Sequence, residues 1–147
     1  MRALILIVAL AACSPQPTSQ EETPAASEAA GAPSAALAEM PTWETARAAG
    51  VDFRAIGQEP GWIVDIYTEN KIIALLDYGE TRLEFPRGEP SYPAEGATRF
   101  SSQADGHMLS ITYRRAPCED VMSGEPYPSS VEVIIDDRTL FGCGRNM

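Results

Sequence analysis

The chain has 147 residues, with 21 acidic against 11 basic side chains and a formal net charge of −10. This length suits one domain once targeting and linker segments are set aside. No linear basic patch occurs, which argues against nucleic acid and anionic membrane surfaces as partners; a cationic partner would be steered favourably.

The N-terminus reads as an export signal. Arg2 supplies a minimal positive region, and residues 3–12 form an apolar run of about ten. A bilayer-spanning helix needs roughly twenty residues, so the run fits a short signal peptide over 1–12 instead. Leu10-Ala11-Ala12-Cys13 resembles a bacterial lipobox. That resemblance implies cleavage before Cys13, diacylglycerol on its sulfur and palmitate completing a membrane anchor. Ser14 resembles the residue that sorts such proteins to the outer membrane, facing the periplasm. With Cys13 acylated, Cys118 and Cys143 remain, and in an oxidising compartment they are expected to pair. Closing that loop of about 25 residues restricts the unfolded chain and contributes ~3 kcal/mol. No free thiol is then left for a nucleophile or a thiolate metal site.

Residues 14–42 are dominated by Ala, Pro, Ser, Thr and Glu and contain no basic residue. Such a stretch buries too little to offset chain entropy and reads as a disordered tether, so that 13–42 comprises the lipidated cysteine and its linker. As a flexible coil its 29 residues span roughly 30 Å.

The domain is expected over 43–147. Thr42 can cap a short helix through Ala49, ended by Gly50. Alternation then begins, with Val51, Phe53 and Ala55 on one face and Asp52 and Arg54 on the other. After the turn-rich GQEPG, Trp62, Val64 and Ile66 share one side. The continuous apolar run 72–76 suggests a more deeply buried strand. Tyr78-Gly79-Glu80 is read as the turn into 81–85, where Leu83 and Phe85 face in.

A Pro/Gly-rich loop covers 86–96, and Ala104-Asp105-Gly106 marks a hairpin between strands 98–103 and 107–114. A last hairpin pairs 131–135 with 139–143 across Asp136-Asp137-Arg138. These runs make about eight short strands. The expected fold is all-β, an antiparallel meander closed as a small barrel or, alternatively, folded as a sandwich, since closure removes exposed edges.

Most enzyme chemistries lack their residues. His107 is the only histidine and sits at a strand entrance beside a turn, where a strand-end polar role competes with general-base catalysis. No nucleophile elbow, phosphate-binding glycine loop or His-Glu-x-x-His motif occurs. Glu119, Asp120 and Glu125 are hard oxygen ligands without calcium-loop spacing, so no metal or cofactor is expected. Asp120 three residues before Ser123 also fits a local cap on one helical turn that Gly124 ends.

The loop CEDVMSGEPYP, 118–128, is the foremost candidate surface. The expected disulfide anchors its start, and Glu125-Pro126 and Tyr127-Pro128 stiffen it; the latter bond can also be cis. A loop so restricted loses little entropy on binding, as recognition requires. The same features suit a connection that only crosses a barrel end, with Tyr127 covering the core. GQEPGW carries a parallel ambiguity, with Trp62 expected in the core.

Phe53 to Trp62, Cys118 to Gly124 with Tyr127-Pro128, and Leu140 to Arg145 together resemble an uncharacterised family of bacterial envelope lipoproteins. That likeness covers about 47–145 and implies an exported, lipid-anchored β-domain with its two distal cysteines paired. Ser123-Gly124-x-x-Tyr127 is also similar to the Ser-Gly-x-x-Tyr loop of membrane-bound inhibitors of c-type lysozyme. In those proteins the serine enters the lysozyme cleft and a downstream lysine helps. Here no lysine follows Lys71, so Arg138 or Arg145 takes that place.

The function expected from sequence is therefore a non-catalytic envelope lipoprotein whose β-domain binds an envelope partner or small ligand. Candidate contacts are Glu119, Asp120, Ser123, Gly124 and Tyr127. The alternatives are a lysozyme inhibitor and an enzyme centred on His107.

Overall fold

The computed structural model describes residues 40–147. The expected signal peptide, Cys13 and the linker up to residue 39 lie outside the described residues. A single helix, α1 (Trp43–Ala48), opens the described chain. Thr42 Oγ1 accepts from the Thr45 N–H at 3.2 Å, Glu44 lies in the first turn and Arg47 in the last, each suited to the helix dipole. Gly50, at φ +84°, ends the turn where a side chain would be strained.

Ten strands follow: β1 (Val51–Gln58), β2 (Gly61–Tyr67), β3 (Lys71–Leu76), β4 (Thr81–Pro86), β5 (Ala97–Ala104), β6 (His107–Arg114), β7 (Cys118–Glu119), β8 (Pro126–Tyr127), β9 (Ser129–Ile135) and β10 (Arg138–Asn146). Eight of them form one antiparallel sheet in the order β4-β3-β2-β1-β10-β9-β6-β5. From β1 round the wall, each strand lies beside the next in the chain; only the small β7–β8 hairpin is inserted, between β6 and β9. The meander is thus an up-and-down barrel, nearly closed. At the seam, Ser102 Oγ donates to the Pro86 carbonyl at 2.6 Å, and Ser91 and Arg99 exchange two backbone bonds of 2.8 Å. The Asp105-Gly106 turn has φ of +51° and +84°, as a two-residue hairpin demands.

The inward residues alternate as expected on β2, on β6 and on β1 from Phe53 to Ala55. Val51, expected on that face, is instead buried on the outer side with Ala46 and Tyr67, because β1 shifts register between Val51 and Phe53. Trp62 lies in the core. Two glycines make that possible. A Cβ on Gly57 would stand 2.2 Å from Trp62 Nε1, and one on Gly142 would stand 2.0 Å from the Ile56 carbonyl oxygen and 2.8 Å from Trp62 Cζ2. Phe53 likewise occupies the space above Gly144 and stacks on Tyr113 at 4.2 Å between centroids.

The strand over 72–76 differs from expectation. It alternates, with Ile72, Ala74 and Leu76 buried and Ile73 and Leu75 half-buried on the outer wall. The strand buried along its whole length is β2, because its outward Asp65 is covered by its pairing with Arg54 and its outward Tyr67 packs with Ala46 and Val51. The turn before β4 also starts earlier than expected, as a 3-10 turn over Asp77–Gly79 with Asp77 and Tyr78 at positive φ. The cis peptide is at Glu59–Pro60 and not at Tyr127–Pro128.

Gly142→Ala is expected to lower unfolding free energy by ~1–3 kcal/mol through overpacking, read as a shift in the urea midpoint. Gly106→Ala, where a Cβ meets nothing within 4 Å, is expected to cost only the ~1–2 kcal/mol of an unfavourable φ. A Gly142 variant unaffected in stability would overturn the packing account.

Candidate functional site

The outer wall of β1 and β10 carries an unusual pairing: Arg54 lies directly opposite Arg145. Like charges in register repel, and each arginine is held by its own carboxylate. Arg54, only 1% exposed, makes a two-pronged pair with Asp65 on β2, Nε to Oδ1 at 2.6 Å and Nη2 to Oδ2 at 2.7 Å. Its remaining Nη1 donates to the Pro41 carbonyl at 2.6 Å. Sequence alternation placed Arg54 on the outer face correctly; that it is buried there was not legible. Arg145 pairs with Glu125 from the 118–128 loop.

Trp43 of α1 covers both guanidinium groups, 5.3 Å from Arg54 and 4.8 Å from Arg145. Tyr127 lies 4.1 Å from the Arg145 guanidinium and 6.0 Å from the Trp43 ring. Cations over aromatic faces are attracted by the ring quadrupole. Arg145 Nε is buried without a hydrogen-bond partner, so this group is held by its flat face and its outer nitrogens.

This layer places the loop. The Cys118–Cys143 disulfide is present, and Cys143 points outward from β10. The loop therefore lies on the barrel's outer wall, not across its end. Asp120 is its internal hub. Its Oδ2 accepts from the Ser123 hydroxyl at 2.6 Å and the Ser123 N–H at 3.0 Å, and its Oδ1 from Gln58 Nε2 at 3.0 Å. The Gly124 N–H closes the turn on the Asp120 carbonyl at 2.8 Å, with Gly124 at φ +69°, the capped turn expected from sequence. Burial raises the Asp120 carboxyl, but the hydrogen bonds from Ser123, Gln58 and the Met122 N–H outweigh it and hold the group below the ordinary carboxylate range.

The five candidate contacts thus divide. Asp120 and Tyr127 are buried, at 6% and 4% exposure, while Glu119, Ser123 and Gly124 are exposed. The Ser123 hydroxyl is engaged twice, donating to Asp120 and accepting from the Glu125 N–H at 3.2 Å. Burial, then the Glu125 carboxylate, pushes the Tyr127 phenol up, so it stays protonated and donates to Glu125 Oε2 at 3.3 Å. Tyr127 covers the outer wall and not the barrel core.

What the loop exposes instead is Val121 at 84% and Met122 at 71%, next to Phe141 of β10 at 70%. Val121 and Phe141 line a cleft of about 320 Å³ whose other walls include Ile56 and the disulfide. Sequence reasoning did not single these residues out. The signal was there: an apolar Val-Met pair in an otherwise polar loop, and a phenylalanine on the outward parity of β10.

Elsewhere, His107 Nδ1 is 2.8 Å from Asp136 Oδ2 at the exposed turn between β9 and β10. The histidine hydrogen bond and the Met108 N–H lower the Asp136 carboxyl. Among the described residues His107 has no serine or cysteine partner. Glu119, Asp120 and Glu125 do not converge: Asp120 faces Ser123 and Gln58, and Glu125 faces Arg145. Arg138, a candidate for the missing lysine, is paired through two nitrogens with Asp77 at 2.8 and 3.0 Å. In comparisons with family models, curated proteins and solved structures, nothing matches the chain.

Asp120→Ala is expected to release the loop at a cost of ~1–3 kcal/mol, from the donors it leaves unsatisfied. Faster amide exchange over 119–124 with little change in the β-sheet would show it. The wild-type loop should depend on pH in one direction. Because the folded carboxyl lies below its unfolded value of about 3.9, the stabilisation is complete above that value and lost as pH falls through the folded one. Asp120→Asn should abolish that acid-dependent loosening.

Proposed function

We propose that the protein is a non-catalytic lipoprotein, anchored to the bacterial outer membrane through Cys13, whose β-domain acts by binding a partner in the envelope. The anchor rests on Leu10-Ala11-Ala12-Cys13 and the polar tether that follows it. The observation that carries the binding role is the loop over 118–124. It is pinned by the disulfide, Asp120 and Gln58, yet it projects two large apolar side chains into water. Exposed apolar groups on a rigid support are what an interface needs, since little order remains to be imposed on binding. The reading of His107 as a strand-end residue fits its partner, Asp136, in an adjoining turn.

Inhibition of c-type lysozyme ranks second. It needs a free serine hydroxyl and a free cation, and Ser123, Arg138 and Arg145 are each engaged within the domain. Its support is the Ser123-Gly124-x-x-Tyr127 pattern and the net negative charge.

Mass spectrometry of the natural protein should find an acylated N-terminal Cys13, and Cys13→Ser should move the protein from the membrane to the soluble fraction. An unmodified thiol at Cys13 would overturn the anchor. A photo-crosslinker placed at Val121 in growing cells should give a discrete adduct, and one placed on exposed Glu80 should not; equal labelling at both would remove the binding role. Purified protein that slows lysozyme lysis of cell walls at micromolar concentration, with Ser123→Ala abolishing it, would promote the second reading; no slowing would remove it.

A further inference from the structure

The chemistry around the Val121–Phe141 cleft defines the class of partner. On β9, Glu132 stands directly in register with Phe141, and Glu119 lines the cleft from the loop. Neither carboxylate takes part in an ion pair among the described residues. Of the cations on this wall, Arg145 pairs with Glu125 and Arg99 donates to Thr112 Oγ1 at 2.8 Å, while Arg114, opposite Ser130, is exposed and makes no ion pair among the described residues. The cleft is therefore an apolar slot, walled by Val121 and Phe141, beside which stand two acids that make no ion pair and, on the β6 side, one exposed arginine, Arg114. The domain over 43–147 carries 17 acidic and 10 basic residues, a net charge of −7 that adds to the local field.

We infer that this cleft takes a basic protein segment that inserts one large apolar side chain between Val121 and Phe141 while its lysines or arginines face Glu119 and Glu132. This rests on the binding role proposed above and names the partner's chemistry. Three features favour that occupant. The slot is apolar, so a polar chain alone gains nothing from it. The flanking carboxylates repel an anionic bilayer and favour a cationic chain. The same carboxylates would face each other unfavourably if a second copy docked the same surface about a two-fold axis.

The test uses the chain from Cys13 onward, with Cys13→Ser so that no acyl group competes, and methyl-labelled methionine. Met122 adjoins the cleft, while Met40 and Met147 lie on other parts of the domain and serve as internal references. The probes are the peptide Lys-Lys-Phe-Lys-Lys, its glycine counterpart Lys-Lys-Gly-Lys-Lys, and the acidic Glu-Glu-Phe-Glu-Glu. The expected result is a saturable shift of the Met122 methyl with the first peptide alone. Phe141→Ser, at an exposed position that leaves the core intact, should weaken it by about tenfold or more. Glu119→Gln with Glu132→Gln should weaken it several-fold at low salt, with the difference vanishing at high salt.

Four outcomes would overturn the inference. Equal binding of the glycine peptide would reduce it to surface charge, and no saturable shift up to millimolar peptide would remove it. A Met122 shift with phosphatidylcholine or phosphatidylglycerol vesicles and not with peptide would make the surface a bilayer contact. Concentration-dependent self-association lost in Phe141→Ser would make it a contact between copies. If the peptide fails while the Val121 adduct forms in cells, the partner class falls and the binding role stands; if the adduct is absent too, the binding role falls with it.

Discussion

Trp62 is the largest fully buried side chain of the domain, and the barrel has room for it only where two facing strands give up their side chains. Gly57 on β1 and Gly142 on β10 provide that room, and Gly144 does the same for Phe53. Because β1 and β10 are also where the first and last strands of the sheet pair, the glycines bring their backbones close beneath the indole. The barrel's closure and its core are in this way one constraint. Any Cβ at Gly142 would meet backbone, which cannot swing aside as a side chain would.

The same two strands organise the outside. Inward glycines and aromatics alternate with outward Arg54, Ile56, Cys143 and Arg145. Two arginines in register would be unfavourable on a bare wall. They are accommodated because Asp65, Glu125, Trp43 and Tyr127 surround them, contributed by β2, the loop, α1 and β8. This second layer joins the segment entering the domain to the 118–128 loop. It also accounts for the depth of Tyr127: its ring is one face of the arginine stack. The loop is held from within by Asp120 and from below by the disulfide, and its outward side is left to Val121, Met122 and Glu119.

Much of the fold was legible in the sequence. The alternation of Phe53 with Ala55, of Trp62 with Val64 and Ile66, and of Leu109 with Ile111 identified the core faces, because a strand presents every second residue to one side. Asp105-Gly106 identified its hairpin because few residue pairs accept two positive φ values. The candidate site was legible less fully. The pattern named the right loop and the Asp120–Ser123 cap, since both are local. It gave the wrong depth for Arg54 and for the run 72–76, and it could not separate the buried Tyr127 from the exposed Val121 and Met122.

What the sequence by itself determined is whatever depends on neighbours a few residues apart: strand faces, tight turns and the helix cap. What only the tertiary structure decided is which outward residues are covered. Arg54 is buried because Pro41 and Trp43, more than ten positions away, lie over it, and Tyr127 because Arg145 returns beneath it from β10. Burial on an outer wall depends on which distant segment settles there, and period-two alternation carries no information about that.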